Sequence, residues 1–159
     1  MCPRDMTSRE QELVSIAHRV LPGGSLGNIA NDLVIDRGEG SHIWDVSGNQ
    51  YIDYLLGSGP MLVGHAHPEV LEVVRDQLEK GTTFFAGNEH AILLADEVVK
   101  AVPCAEKVRF SSTGSEATLY AMRAARAYRG RDKILKFEGG FHGMNDYALM
   151  SMAPANPAP

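Results

Sequence analysis

A short β-like run, Val108-Arg109-Phe110, passes through Ser111-Ser112-Thr113-Gly114-Ser115 into the most regular amphipathic segment of the chain. A strand that enters a helix through a Gly/Ser/Thr turn constrains both fold and chemistry. The first N–H groups of a helix have no acceptor inside it, and the aligned peptide dipoles leave that end partly positive. A phosphate placed there is held by backbone donors, with the hydroxyls of Thr113 and Ser115 beside them. No Gly-Lys-Ser/Thr follows, so this is not a nucleoside triphosphate loop. Taken alone, Thr113 or Ser115 reads sooner as a plain helix N-cap, the common role of such residues.

The surrounding pattern places this turn in a sheet. Periodicity predicts a helix over about 9–20, with Leu13, Ile16, Ala17 and Val20 on one face and Pro22-Gly23-Gly24 as its stop. An irregular stretch runs on to about Leu33. Two alternating runs, 42–46 and 50–54, flank Ser47-Gly48-Asn49, which is a hairpin signature. The glycines from Gly57 to Gly64 suggest tightly packed backbone. Pro68 opens a helix to about Lys80, and another spans roughly Glu89 to Ala101 before Pro103.

The helix after the turn, near 115–128, sets Ala117, Ala121, Ala124, Ala125 and Tyr128 on one stripe, and these small residues allow close approach to a sheet. Gly130 ends it, 133–137 reads as the next strand, and 147–152 can form another. Strand, helix and strand within roughly 30 residues make a βαβ unit, hence a parallel sheet. Ligands of such sheets gather at the carboxyl ends of the strands. Thr113-Gly114-Ser115 and Glu138-Gly139-Gly140-Phe141-His142-Gly143 both lie at such ends, so the two loops should face one site. So few strands would leave apolar sheet faces uncovered, as in a domain interrupted partway.

Composition narrows the partners. Fifteen basic against 20 acidic residues give a net charge of −5, which argues against nucleic acid or an anionic membrane as main partner. The cluster Arg123, Arg126, Arg129, Arg131 and Lys133 reads as a solvated helix face. Cys2 and Cys104 form neither a disulfide framework nor a zinc motif, and no apolar run approaches a membrane span or a signal peptide. A cytoplasmic setting is the expectation. His65 and His67 resemble a metal pair, but Pro68 opens a helix directly after them, and no metal site is expected. A metal hydrolase using His65, His67 and His142 is a weak rival.

One loop thus offers an anion cradle, the other an aromatic ring and an imidazole. A planar aromatic ligand with a phosphate arm fits both, with its ring on Phe141. Pyridoxal phosphate has that shape, as do other flat phosphorylated ligands. From about Gly38 to Gly143 the chain also resembles the class III, fold type I aminotransferases, nearest to glutamate-1-semialdehyde 2,1-aminomutase-like members. The matching pieces are Trp44-Asp45-Val46-Ser47-Gly48 with Tyr51-Ile52-Asp53, Gly64-His65-Ala66-His67-Pro68, Thr113-Gly114-Ser115-Glu116-Ala117, Gly130-Arg131-Asp132-Lys133-Ile134, and Lys136-Phe137-Glu138-Gly139 leading to Phe141-His142-Gly143. The aminomutases usually carry tryptophan before the Gly-Pro pair, where this chain has Ser58.

The resemblance implies an α/β fold. It would be the N-terminal part of a fold type I transferase: an arm of helix and β-hairpin, then an incomplete, mainly parallel sheet with flanking helices. Implied boundaries are 1–65 for the arm, 66–152 for the first part of the large cofactor domain, and 153–159 for a Pro/Ala-rich end. Pyridoxal 5′-phosphate is the implied cofactor. Thr113, Gly114 and Ser115 would hold its phosphate, Phe141 would stack on the ring with His142 beside it, and Ser58 would line the substrate side. Partners by resemblance are a small-molecule amino donor, a carbonyl acceptor and a second copy in a homodimer. The family's Schiff-base lysine matches none of Lys80, Lys100, Lys107, Lys133 and Lys136, so no catalytic residue is expected here. The chain alone should be inactive and marginally stable. The alternative is a non-catalytic module that binds a phosphorylated ligand or serves assembly.

Overall fold

The computed structural model describes residues 4–26 and 32–152. These divide into two compact units, the boundary falling between Phe84 and Phe85. In chain order the first holds α1 (Ser8–Val20), a 3-10 turn at Pro22–Gly24, β1 (Ile35–Glu39), β2 (His42–Asp45), β3 (Gln50–Ile52) and α2 (Pro68–Leu78). The second holds α3 (Glu89–Ala101), α4 (Gly114–Arg129) and a short α5 (Asp146–Leu149).

Local chemistry sets the helix ends. Thr7 accepts the Glu10 N–H to cap α1, Asn88 accepts from Ala91 to cap α3, and Pro68 opens α2 at a position where its missing N–H costs nothing. Gly130 closes α4 in the left-handed conformation at φ 59°. The expected hairpin forms, β2 pairing antiparallel with β3. A third strand escaped the sequence reading. β1 pairs antiparallel with β2 through an irregular register between Ile35 and Arg37, and the sheet order is β1-β2-β3.

The α/β class stands, but the strands of the second unit differ from expectation. Residues 108–110 and 133–137 adopt no ladder among the described residues. A strand exists only through a neighbour's N–H and C=O groups, and a parallel crossover can leave strand positions between its two arms. The run at 147–152 forms no strand; its first residues join α5, because Asn145 accepts the Ala148 N–H at 3.1 Å and caps a helical turn. Burial follows the same logic. Ala148 is the sole buried apolar side chain among the described residues, while Leu135 and Phe137 are 99% and 85% exposed.

The first unit is held by a polar centre. Glu10 and Asp45 are fully buried, and Arg4 Nη1 bridges them at 2.6 Å and 2.9 Å. Arg4 also donates to the Asp32 carbonyl. Ser47 Oγ donates to Glu10, while Tyr51 Oη and the Asn49 side chain and backbone donate to Asp45. Burial alone would raise the Asp45 carboxyl, but the bonds from Asn49, Tyr51 and Arg4 outweigh it and lower it to about 2. Burial likewise opposes, and bonds from Ser47, Arg4 and the Val34 N–H overcome, to lower Glu10.

A depressed folded-state carboxyl stabilises above its unfolded pKa and loses that contribution as pH falls through the folded value. The first unit should therefore lose stability from about pH 4 downward, with about 2 kcal/mol traceable to Asp45. Fluorescence of Trp44, the single tryptophan, during acid titration checks this, and a flat response over that window would contradict it.

Backbone packing also fixes the 53–65 segment. His65 and Gly40 exchange both backbone hydrogen bonds, at 2.8 Å and 2.9 Å, and His65 Nε2 meets Asp53 Oδ2 at 2.7 Å. Gly64, at φ 80°, lies so close that a Cβ there would fall 2.8 Å from the Gly40 carbonyl oxygen. His65 is thus committed to the fold, beside a carboxylate.

Candidate functional site

The turn before α4 is ordered by a capping box. Thr113 Oγ1 accepts the Glu116 N–H at 3.1 Å, and Glu116 Oε2 accepts the N–H groups of Ser112 and Thr113 at 2.8 Å and 3.2 Å. The Thr-x-x-Glu spacing signals this from sequence. Its consequence is a division of labour among donors. The carboxylate takes the two N–H groups before the helix, and the Gly114 and Ser115 N–H groups, first in the helix, have no acceptor i−4 within it. Thr113 is the N-cap, yet accepting a bond at its oxygen leaves its hydroxyl proton to donate.

The second loop meets this turn directly. Met144 N–H donates to Ser115 Oγ at 2.9 Å, and Asn145 Nδ2 donates to the Ser115 carbonyl at 3.4 Å. Gly143 is buried at φ 106°, and a Cβ on it would lie 2.9 Å from Ser115 Cα and 2.8 Å from Thr118 Oγ1. That distance is below any real Cβ contact, so only glycine lets the loop reach the helix. The loop itself is turned by Gly139 at φ 73°, whose N–H bonds the Ser151 carbonyl at 2.8 Å.

Thr113, Gly114 and Ser115 therefore share one end of the second unit with the segment that follows Phe141 and His142. Phe141 is 64% exposed, its ring available to a flat ligand. His142 lines a cavity of about 350 Å³ together with Thr118, Ala121, Met122, Lys136 and Ala148. His142 Nε2 and Lys136 Nζ are shielded from solvent and have no hydrogen-bond partner among the described residues. Ser58 belongs to the first unit, on an exposed turn at φ 69° between Leu56 and Gly59, both also at positive φ. The Arg126 guanidinium of the basic cluster lies 4.3 Å over the Tyr147 ring and donates to the Asp132 carbonyl at 2.6 Å.

The donor set fits a phosphate monoester. The backbone N–H groups of Gly114 and Ser115 and the hydroxyls of Thr113 and Ser115 lie in the first turn of a sixteen-residue helix, at its positive end, and the neighbouring carboxylate is already occupied by backbone donors. The sequence reading missed Glu116 as the organiser of the turn, although its spacing was readable. It also missed Met144 and Asn145, whose contacts arise only when two distant loops meet.

Comparisons with known proteins show which proteins the chain is similar to. The family model described as "Aminotransferase class-III" matches residues 26–158. A glutamate-1-semialdehyde 2,1-aminomutase from Methanothermobacter thermautotrophicus is 44% identical over 146 residues, covering 89% of this chain and 35% of that protein. Among solved structures, an omega-transaminase from Sphaerobacter thermophilus superposes with a TM-score of 0.87 at 37% identity, covering 94% of this chain and 35% of its own. A transaminase with PLP bound gives a TM-score of 0.85 at 32% identity, covering 93% and 36%. The chain thus spans about a third of the length of the relatives it matches.

Proposed function

The chain belongs to the class III aminotransferases, and from that premise we propose that it carries the phosphate and ring site for pyridoxal 5′-phosphate in an enzyme of amino-group transfer. The observation that carries the reading is the direct meeting of the two loops, Met144 N–H on Ser115 Oγ at 2.9 Å. It joins the anion cradle of α4 by a hydrogen bond to the loop that carries Phe141 and His142, segments almost thirty residues apart in sequence. The transaminase with PLP bound among the solved neighbours supports the choice of ligand.

In this reading the Gly114 and Ser115 N–H groups and the Thr113 and Ser115 hydroxyls hold the phosphate. Phe141 stacks on the pyridine ring and His142 stands beside it. When bound, pyridoxal phosphate supplies the aldehyde that takes up an amino group and the electron-withdrawing ring that acidifies the neighbouring carbon. The residues of this chain bind and orient, and the family resemblance assigns Ser58 to the substrate. The donor is a small-molecule amine and the acceptor a carbonyl compound. Transfer passes to a second molecule in an aminotransferase, or to the adjacent carbon of the same molecule in an aminomutase. We assign the arm to 1–65 and the first part of the cofactor domain to 66–152, in a homodimeric cytoplasmic enzyme; the segment 153–159 lies outside the described residues.

The 159-residue chain by itself should bind but not turn over, since no lysine in it takes the family's cofactor-binding position. Incubation with pyridoxal phosphate followed by borohydride should fix no cofactor at a unique lysine. Lys136 is the stringent control, because its shielded ammonium lines the same cavity as His142. Stoichiometric labelling at one lysine, together with transaminase turnover, would overturn the proposal of inactivity.

A further inference from the structure

We infer that Gly143, Met144 and Asn145 form a clamp that positions the Ser115 hydroxyl as a phosphate donor, an inference that rests on the cradle reading above. A serine hydroxyl rotates freely unless a neighbour fixes it. Here the Met144 N–H occupies one acceptor direction of Ser115 Oγ at 2.9 Å, so the hydroxyl proton must point elsewhere. The other side of the same residue is held too. The Ser115 carbonyl accepts Thr118 Oγ1 at 3.0 Å and Asn145 Nδ2 at 3.4 Å.

Asn145 does two jobs with one amide: its Oδ1 takes the Ala148 N–H to start α5, and its Nδ2 reaches Ser115. Gly143 permits both, since any Cβ would collide with Ser115 Cα and Thr118 Oγ1. The clamp occupies one of the two lone pairs of this hydroxyl and leaves its proton free to donate to a phosphate. Thr113 Oγ1 likewise accepts from the Glu116 N–H, so each of the two hydroxyls keeps its proton to donate. Such a site favours a fully deprotonated phosphate, which offers acceptors on every oxygen. Gly143, Met144 and Asn145 are positioning residues, acting through Ser115.

The test compares pyridoxal phosphate with pyridoxal, the same ring without the phosphate, in non-covalent titrations of the full chain. Wild type should prefer the phosphate ester. Gly143→Ala should reduce that preference about tenfold, the order of one charged hydrogen bond, and leave pyridoxal affinity unchanged. Asn145→Ser keeps a side-chain acceptor for the α5 cap but is too short to reach Ser115, and should reduce the preference about threefold. Should Gly143→Ala fail to fold, the serine variant and hydrogen exchange decide, with the Met144 amide protected in wild type. A wild-type preference that both variants retain would overturn the clamp alone, as would an unprotected Met144 amide or equal weakening of both ligands. A wild type with no preference would remove the cradle reading and the clamp together.

Discussion

Arg4→Ala should cost the first unit about 3 to 5 kcal/mol, the usual penalty for stripping the partner from buried charge. Glu10 and Asp45 are both fully buried carboxylates, and one guanidinium nitrogen of Arg4 serves them at 2.6 Å and 2.9 Å. Its loss leaves two negative charges facing each other across a site with no other cation among the described hydrogen-bond partners. Arg4→Lys should recover only part of the loss, because an ammonium cannot also supply the planar second nitrogen that reaches the Asp32 carbonyl. Urea unfolding followed through Trp44 measures both variants. A loss below about 1 kcal/mol for Arg4→Ala would place this network with ordinary surface pairs.

Ser115→Ala carries the second large expectation, a weakening of pyridoxal phosphate binding by about ten- to a hundredfold. The hydroxyl contributes one charge-assisted bond to the phosphate, worth roughly 1.5 to 3 kcal/mol. Its removal also leaves the Met144 N–H without the oxygen it donates to. Thr113→Ala should do less to the ligand and more to the helix, since Thr113 caps α4 and Glu116 depends on that geometry. Titration of both variants, with helicity followed by circular dichroism, separates the roles. Equal affinity in Ser115→Ala and wild type would remove Ser115 from the cradle.

Local chemistry was legible in the sequence wherever a single segment decided the outcome. The Thr113-Gly114-Ser115 turn, Pro68 at a helix start and the Ser47-Gly48-Asn49 turn each act over a few residues, and each element formed as read. β1 was hidden because Ile35–Glu39 alternates poorly and carries Gly38; its pairing depends on β2, not on its own pattern. The apolar run 133–137 has strand character that sequence alone registers, but a ladder needs neighbours that propensity cannot supply. Asn145 reversed the reading of 147–152, a cap overriding β-like composition. Within the site, the residues of the α4 turn were readable, and the second loop was recognisable as its companion. The contact through Gly143, Met144 and Asn145 was not, because it joins segments almost thirty residues apart through backbone groups that every sequence possesses.

The central claim is that the start of α4 holds the phosphate of pyridoxal phosphate, and amide resonances test it at the donor atoms themselves. In a 15N-labelled chain titrated with pyridoxal phosphate, the Gly114 and Ser115 amide signals should move together, and inorganic phosphate should move them in the same direction. Pyridoxal without its phosphate should leave both in place. Unchanged Gly114 and Ser115 amides at saturating pyridoxal phosphate, with shifts confined to other residues, would contradict the account.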